Sequence, residues 1–229
     1  MSALPMPVKS TQISKVYVVD DDDAVRRALA ALMESIGYEC MLFASASDYL
    51  AQFDPNAAGC LVLDIRMPEM TGLELQSVLK QRNANIPIIF ITGHGDVPMA
   101  VEAMKKGAFG FIQKPFRDQD LLDRVNHALR RDSQEREDIE KREDSAKCWE
   151  TLTPRERDVC HLVVGGLSNK EVGEQLGLSE RTVEIHRGRV MTKMGVRAVA
   201  QLVHKYALLP TSEWQANEAP ATDGSDELT

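Results

Sequence analysis

Four short apolar runs in the first half of the chain each stop on a polar residue. This recurrence constrains the fold more than any other feature. Residues 16–19 (VYVV) run into Asp20 and Asp21, residues 60–63 (CLVL) into Asp64, and residues 88–91 (IIFI) into Thr92. Residues 109–112 (FGFI) are followed, after Gln113, by Lys114 and Pro115. Runs this short, bounded by turn or helix signals, predict strands buried on both faces, as in a parallel sheet. Ligands of open α/β sheets bind outside the carboxyl ends of the strands. If these strands are neighbours, three carboxylates, a hydroxyl and an ammonium meet on one edge.

Between the runs the periodicity turns helical. Val25, Leu29, Leu32, Met33 and Ile36 share a face before Gly37, and residues 38–43 give a further strand ahead of a short helix at 46–53. Leu73, Leu75, Val78 and Leu79 mark a helix over 72–81, and another spans 97–106 before Gly107. The last, over 117–130, shows Leu121, Leu122, Val125 and Leu129. Five strand–helix alternations within residues 15–130 predict an α/β, (βα)5 doubly wound sheet with right-handed crossovers. A flavodoxin-like strand order 2-1-3-4-5 would set Asp20, Asp21 and Asp64 side by side.

Charge separates the remaining segments. The formal net charge of −8 hides a single basic stretch, residues 151–210, with nine Lys+Arg against six Asp+Glu. Any nucleic-acid binding would belong there. Residues 131–150 are densely charged with neither Pro nor Gly, and their opposite charges at i,i+4 predict a solvated helical linker. Fully helical, it would extend the preceding helix by about 30 Å at 1.5 Å per residue. It has no sustained heptad, so a coiled coil is not expected. Residues 151–209 form an all-α domain, 1–14 a disordered arm, and 210–229 an acidic, disordered tail in which Trp214 is the one large aromatic. The four cysteines lie far apart with no CxxC pair, which fits a reducing cytoplasm rather than a disulfide or metal framework. Residues 1–12 lack the apolar core of a signal peptide, and no stretch reaches transmembrane length.

The strand-end residues suit phosphoryl transfer. An Asp carboxylate can attack a phosphoryl group and become an acyl phosphate. Mg²⁺ (or another divalent cation), held by one or two carboxylates with waters and substrate oxygens, offsets the charge. A Lys ammonium and a Thr hydroxyl complete the set. Asp20 and Asp21 would hold the metal, Asp64 would be the nucleophile, and Thr92 and Lys114 would bind the phosphoryl oxygens. Taken singly, an Asp after a strand is more often a helix cap or turn residue. The five together favour chemistry, while Asp22 and Asp23 read as caps of the first helix.

The segments VVDDDDAVRRAL, LVLDIRMPEMTGLEL, PIIFITGHGDVPMAVEAMKKGA and GFIQKPF resemble the receiver domain of two-component response regulators, in order and at compatible spacing. The resemblance covers residues 15–130, and ITGHGDVPMAVEAMK is most similar to the FixJ-type branch. It implies phosphorylation of Asp64 by a sensor histidine kinase and a metal held by Asp20, Asp21, Asp64 and the Arg66 carbonyl. It also implies a switch pair of Thr92 and Phe111 and a cis peptide at Lys114–Pro115. Phe111 can equally be plain core. Gly93 stands where many receivers have Ala, and His94 reads as a solvated loop residue. In this family phosphorylation drives homodimerisation; Met99, Ala100, Ala103 and Met104 are candidates for that face.

In the basic domain, Thr153, Pro154 and Glu156 give a capping box that opens a helix ending at Gly165 and Gly166. Ser168 caps a second helix, which Gly177 stops, and Ser179 caps a third over 180–194. The interval Gly177-Leu178-Ser179 is the short turn of a helix-turn-helix, whose second helix lies in the major groove. Residues 152–208 resemble the LuxR/NarL-type helix-turn-helix. The resemblance places Arg181, Thr182, Glu184, Ile185, Gly188 and Arg189 along the groove, with Lys170, Arg187 and Lys193 nearer the backbone. Gly188 replaces a long side chain found in other members. Val199, Leu202, Val203 and Tyr206 mark a last helix that could pair two domains or simply pack into the core.

The reading is a cytoplasmic response regulator, not an enzyme apart from its own phosphotransfer and autodephosphorylation. It acts with a histidine kinase, double-stranded DNA and RNA polymerase, as a homodimer when phosphorylated. A Mg²⁺-dependent aspartyl-phosphate phosphatase is the rival. It would need a second carboxylate beside the nucleophile, and the residue two after Asp64 is Arg66. A phosphorylation-gated adaptor without DNA binding is the third reading.

Overall fold

The computed structural model describes residues 15–93 and 97–210. The arm at 1–14, His94 and the tail from 211, with Trp214, lie outside the described residues. The chain divides into two units, Met1–Arg136 and Glu137–Thr229.

In the first unit β1 (Lys15–Val19), β2 (Glu39–Phe43), β3 (Gly59–Asp64), β4 (Ile88–Thr92) and β5 (Gly110–Gln113) form one parallel sheet of order β2-β1-β3-β4-β5. The helices α1 (Asp23–Ser35), α2 (Ala46–Ala51), α3 (Gly72–Gln81), α4 (Val97–Lys105) and the start of α5 (Asp118–Glu150) alternate with the strands. Period-two alternation divides each strand between two cores. Leu61, Leu63 and Phe90 pack with Leu75, Leu79 and Ala103 of α3 and α4. Val62, Ile89 and Ile91 pack on the other face with Leu29 and Met33 of α1 and Leu121 and Val125 of α5. Both faces are covered, which is why the strands lack polar alternation.

Local chemistry sets the helix starts. Asp22 accepts hydrogen bonds from the amides of Ala24 and Val25 at 2.8 and 3.3 Å, capping α1. Thr71 and Glu74 close a capping box on α3. Two glycines are required by space. A Cβ at Gly59, where φ is +146°, would lie 2.0 Å from the Lys15 carbonyl oxygen. At Gly72 it would lie 2.3 Å from the carbonyl oxygen of Asp64.

Three expectations change. Ile36 is exposed, because α1 ends at Ser35 and leaves it as the C-cap. Ala100 and Ala103 are fully buried, so they cannot belong to a dimer face. Among the described side chains of α4, Val101 and Met104 are exposed large hydrophobics. The charged stretch 131–150 is helical, but its first six residues belong with the first unit. Asp132 is buried and accepts from the Gly59 amide at 2.9 Å and from Arg136 Nε at 2.9 Å. Arg136 in turn donates to the carbonyls of Asn56, at 2.8 Å, and Ala57.

The second unit contains the rest of α5, then α6 (Pro154–Val164), α7 (Asn169–Leu176), α8 (Glu180–Lys193) and α9 (Val199–Ala207). Thr153 and Ser168 each close a capping box, and Ser179 accepts from the Thr182 amide. Gly177, at φ +64°, ends α7 in the left-handed conformation a tight turn needs. Trp149, Val159, Val163, Val183, Val190, Met194, Leu202 and Tyr206 form the core. Of the α9 face, Leu202 and Tyr206 are core, whereas Val203 is exposed.

Candidate functional site

The register of the sheet assembles the strand ends. Val19 lies opposite Leu63, so the next residues, Asp20 and Asp64, emerge together. Thr92 ends β4 and Lys114 follows β5. The Lys114 amide donates to the Thr92 carbonyl at 2.7 Å, and the Lys114–Pro115 peptide is cis. Asp20 is 2% exposed, Asp64 9% and Thr92 2%.

One ammonium serves two carboxylates. Lys114 Nζ lies 3.0 Å from Asp20 Oδ2 and 3.0 Å from Asp64 Oδ1. Backbone amides take the remaining oxygens: Asp22 donates to Asp20 Oδ1 at 2.9 Å and Arg66 to Asp64 Oδ2 at 2.7 Å. Asp21 and the Arg66 side chain are exposed, and Phe111 is half-buried against the α3–α4 core. Sequence reasoning missed Arg26, which donates to the Asp20 carbonyl at 2.7 Å and bridges Asp23 at 3.1 Å. Its basic side chain on the first turn of α1 was the available signal.

Burial pushes the Asp64 carboxyl above its ordinary range; Asp20 adds to this, while Lys114 and the Arg66 amide oppose it. Burial also acts to lower Lys114, but the hydrogen bonds to Asp20 and Asp64 outweigh it and raise the ammonium. Replacing Lys114 by Met removes a group that lowers Asp64. Lys114→Met is therefore expected to move the Asp64 midpoint further up in a carboxyl-carbon NMR titration. A midpoint unchanged or lower would contradict this account of the site. The sign for stability follows. A carboxyl raised on folding favours the folded chain below its unfolded pKa, and the advantage is lost as pH rises through the folded value.

The donor set fits a hard divalent cation. It is all oxygen, and three carboxylates against one ammonium leave an excess of negative charge. Among the described residues no three Asp, Glu, His or Cys side chains are gathered closely enough to hold a metal alone.

The second unit presents the exposed face of α8. Arg181 and Glu184 pair at 3.0 Å on the surface, and Ile185, Gly188 and Arg189 are exposed beside them. A side chain at Gly188 would meet open space. Thr182 is half-buried, its hydroxyl 2.7 Å from that of the cap Ser179. Lys170 is exposed, 4.0 Å from Glu174. Arg187 donates to Asn169 at 2.8 Å, which ties α8 to α7. Lys193, expected near the DNA backbone, also makes an ion pair within its own domain. Its ammonium lies 2.6 Å from Glu156, which is buried and belongs to the α6 capping box, and 2.9 Å from the Thr151 carbonyl. A buried carboxylate needs a counter-charge, and Lys193 supplies it.

Two family profiles match this architecture: "Response regulator receiver domain" over residues 16–126 and "Bacterial regulatory proteins, luxR family" over residues 150–206. The chain belongs to the response-regulator family, as a receiver domain joined to a LuxR-type DNA-binding domain, the organisation of a transcriptional regulator. It is 50% identical to Nodulation protein W of Bradyrhizobium diazoefficiens over 82% of this chain and 83% of that protein. It is 44% identical to Transcriptional regulatory protein FixJ of Azorhizobium caulinodans, over 92% and 96% of the two chains. Among solved structures it is similar to the response regulator StyR, with 44% identity and a TM-score of 0.77 over 85% of this chain and 98% of that one. Among the described residues no helix is long and apolar enough to cross a membrane.

Proposed function

We propose that Asp64 accepts a phosphoryl group from the phosphohistidine of a sensor histidine kinase, and that this event controls DNA binding by α8. The observation that carries the reading is the single Lys114 ammonium, 3.0 Å from each of two buried carboxylates at adjacent strand ends. An Asp64 oxygen attacks phosphorus, the phosphorus–nitrogen bond breaks, and the imidazole leaves, taking a proton from solvent. Asp20, Asp21, Asp64 and the Arg66 carbonyl would hold Mg²⁺, which supplies charge neutralisation for the phosphoryl oxygens. Lys114 then bonds the phosphoryl group, and the Thr92 hydroxyl donates to it. Phe111, half-buried, follows Thr92 inward. Moving a two-state receiver from 1:99 to 99:1 takes about 5.5 kcal/mol, within reach of a covalent phosphoryl group and its new ion pairs.

The shifted receiver dimerises through α4, where Val101 and Met104 are exposed large hydrophobics. Two recognition helices then reach adjacent half-sites in cytoplasmic DNA, where RNA polymerase is the downstream partner. Arg181, Thr182, Glu184, Ile185 and Arg189 face the groove, and Lys170 and Arg187 lie nearer the phosphates. Lys193, partly exposed, lies nearer the phosphates as well and also pairs with Glu156.

Acetyl phosphate with Mg²⁺ is expected to add one phosphoryl group to the chain and to raise its affinity for operator DNA, and a chelator is expected to block both. Labelling without any gain in DNA binding would favour the adaptor reading. Steady turnover of small phosphate esters would favour the phosphatase. Lys170→Ala is expected to reduce the salt slope of DNA binding by about one. An unchanged slope would take Lys170 off the phosphates.

A further inference from the structure

A cavity of about 270 Å³ lies between α2 and the β1–β2 half of the sheet. None of its lining residues belongs to the phosphoryl site. Four aromatic residues line it: Tyr17 of β1, Phe43 of β2, Tyr49 of α2 and Phe53 just beyond α2. Tyr49 is the hub. Its ring meets Phe43 edge-on at 5.2 Å and 87°, Tyr17 at 5.9 Å and 72°, and Phe53 at 5.9 Å and 49°.

Two of these rings carry hydroxyls in an unusual position. Tyr17 is 8% exposed and Tyr49 3%. Among the described residues neither hydroxyl has a hydrogen-bond partner in the chain. Neither oxygen is sealed from solvent, and both residues line the cavity. Each oxygen can therefore bond water in the cavity, and a guest that offers a hydrogen bond can replace that water. Burial raises both phenols, so each is a neutral hydroxyl able to donate as well as accept.

Of the charges nearby, the lysine is paired and, among the described residues, the carboxylate is not. Lys15 pairs with Glu39 at 2.8 Å, and Asp54 Oδ1 accepts the Asn56 amide at 2.8 Å. The wall is fixed as well: Arg136 holds the carbonyls of Asn56 and Ala57. A cavity of roughly 150 Å³ holds benzene, so this one, of about 270 Å³ and open to solvent, has room for a single substituted ring. Ring edges and faces fit an aromatic guest, the two hydroxyls fit one polar substituent, the Asp54 carboxylate disfavours an anion, and Lys15, already paired with Glu39, disfavours a cation.

We propose that this cavity binds a neutral monocyclic aromatic molecule bearing a hydroxyl or carbonyl group, with phenol as its simplest representative. The phenol ring packs against Tyr49 and Phe43, and its hydroxyl bonds the oxygens of Tyr17 and Tyr49.

The test is a titration of the full chain with phenol, and separately with toluene, followed by NMR of the aromatic and backbone resonances. Phenol should give saturable shifts concentrated at Tyr17, Phe43, Tyr49 and Phe53. Tyr17→Phe and Tyr49→Phe keep the rings and remove one hydroxyl each. Each should weaken phenol roughly three- to tenfold, the size of one hydrogen bond, and leave toluene unchanged. Absence of saturation in the millimolar range would overturn the proposal. Shifts scattered over the surface, or variants that bind phenol as tightly as the parent, would overturn it equally.

Discussion

Asp64→Asn is expected to reduce phosphoryl incorporation from acetyl phosphate to background while leaving the chain folded. Loss of the nucleophile is not covered by a neighbour. Asp20 is more deeply buried than Asp64, and both of its oxygens are engaged, one by the Asp22 amide and one by Lys114. Asp21 lies outside the bridge that Lys114 makes. An amide has the shape of the carboxylate and can still accept from the Arg66 amide. The substitution also removes a charge that burial disfavours, since the Asp64 carboxyl is raised above its ordinary range. At neutral pH the unfolding midpoint should therefore be no lower than that of the parent. Intact mass after treatment with acetyl phosphate and Mg²⁺, beside a thermal melt, checks both halves. Labelling that persists in a fully folded Asp64→Asn chain would remove Asp64 from the mechanism.

The second large effect lies in the helical unit. Trp149→Ala should destabilise it by about 3–5 kcal/mol, the range for emptying a buried aromatic site. Trp149 is buried with its ring 5.2 Å from His161 and 5.7 Å from Tyr206, and Arg157 lies 5.4 Å over its face. His161 Nδ1 and the Tyr206 hydroxyl meet at 2.6 Å, so loss of the indole also loosens that pair. For a domain this small each kcal/mol lowers Tm by about 4–8 °C. The resonances of residues 137–210 should collapse toward unfolded positions near physiological temperature, and DNA binding should go with them. Ile139→Ala, on the exposed side of α5, is the control and should change stability by no more than about 0.5 kcal/mol. Equal midpoints for the two variants would show that the Trp149 stack contributes nothing.

The site was legible because its parts are local. Asp20, Asp64, Thr92 and Lys114 each follow an apolar run, and a parallel sheet brings the ends of such runs together. The helix starts were legible for the same reason, since Thr153 with Glu156 and Ser168 with Glu171 are patterns of four residues. What escaped depends on partners far away in sequence. Asp132 and Arg136 read as a solvated charge pair, yet they reach residues 56–59. Lys193 reads as a surface cation because nothing near it announces Glu156, 37 positions earlier. Trp149 stands in a charged stretch without helical apolar spacing, so its pattern does not reveal the core it completes. Ala100 and Ala103 are too small to give a periodic signal, and only packing shows which way they face.

Gly59 and Gly72 have a consequence for anyone mapping this protein by mutation. Neither has a side chain, yet any side chain there would overlap a carbonyl oxygen, that of Lys15 in one case and of Asp64 in the other. A saturation screen scored on reporter output would find both positions as intolerant as Asp64. The resemblance would be false at Gly59, where the damage is to assembly of the sheet. It would be half true at Gly72, whose obstruction is the backbone of Asp64 itself. Scoring protein abundance beside output would separate them: Asp64→Asn should accumulate normally and stay silent, whereas substitutions at Gly59 should vanish from the cell.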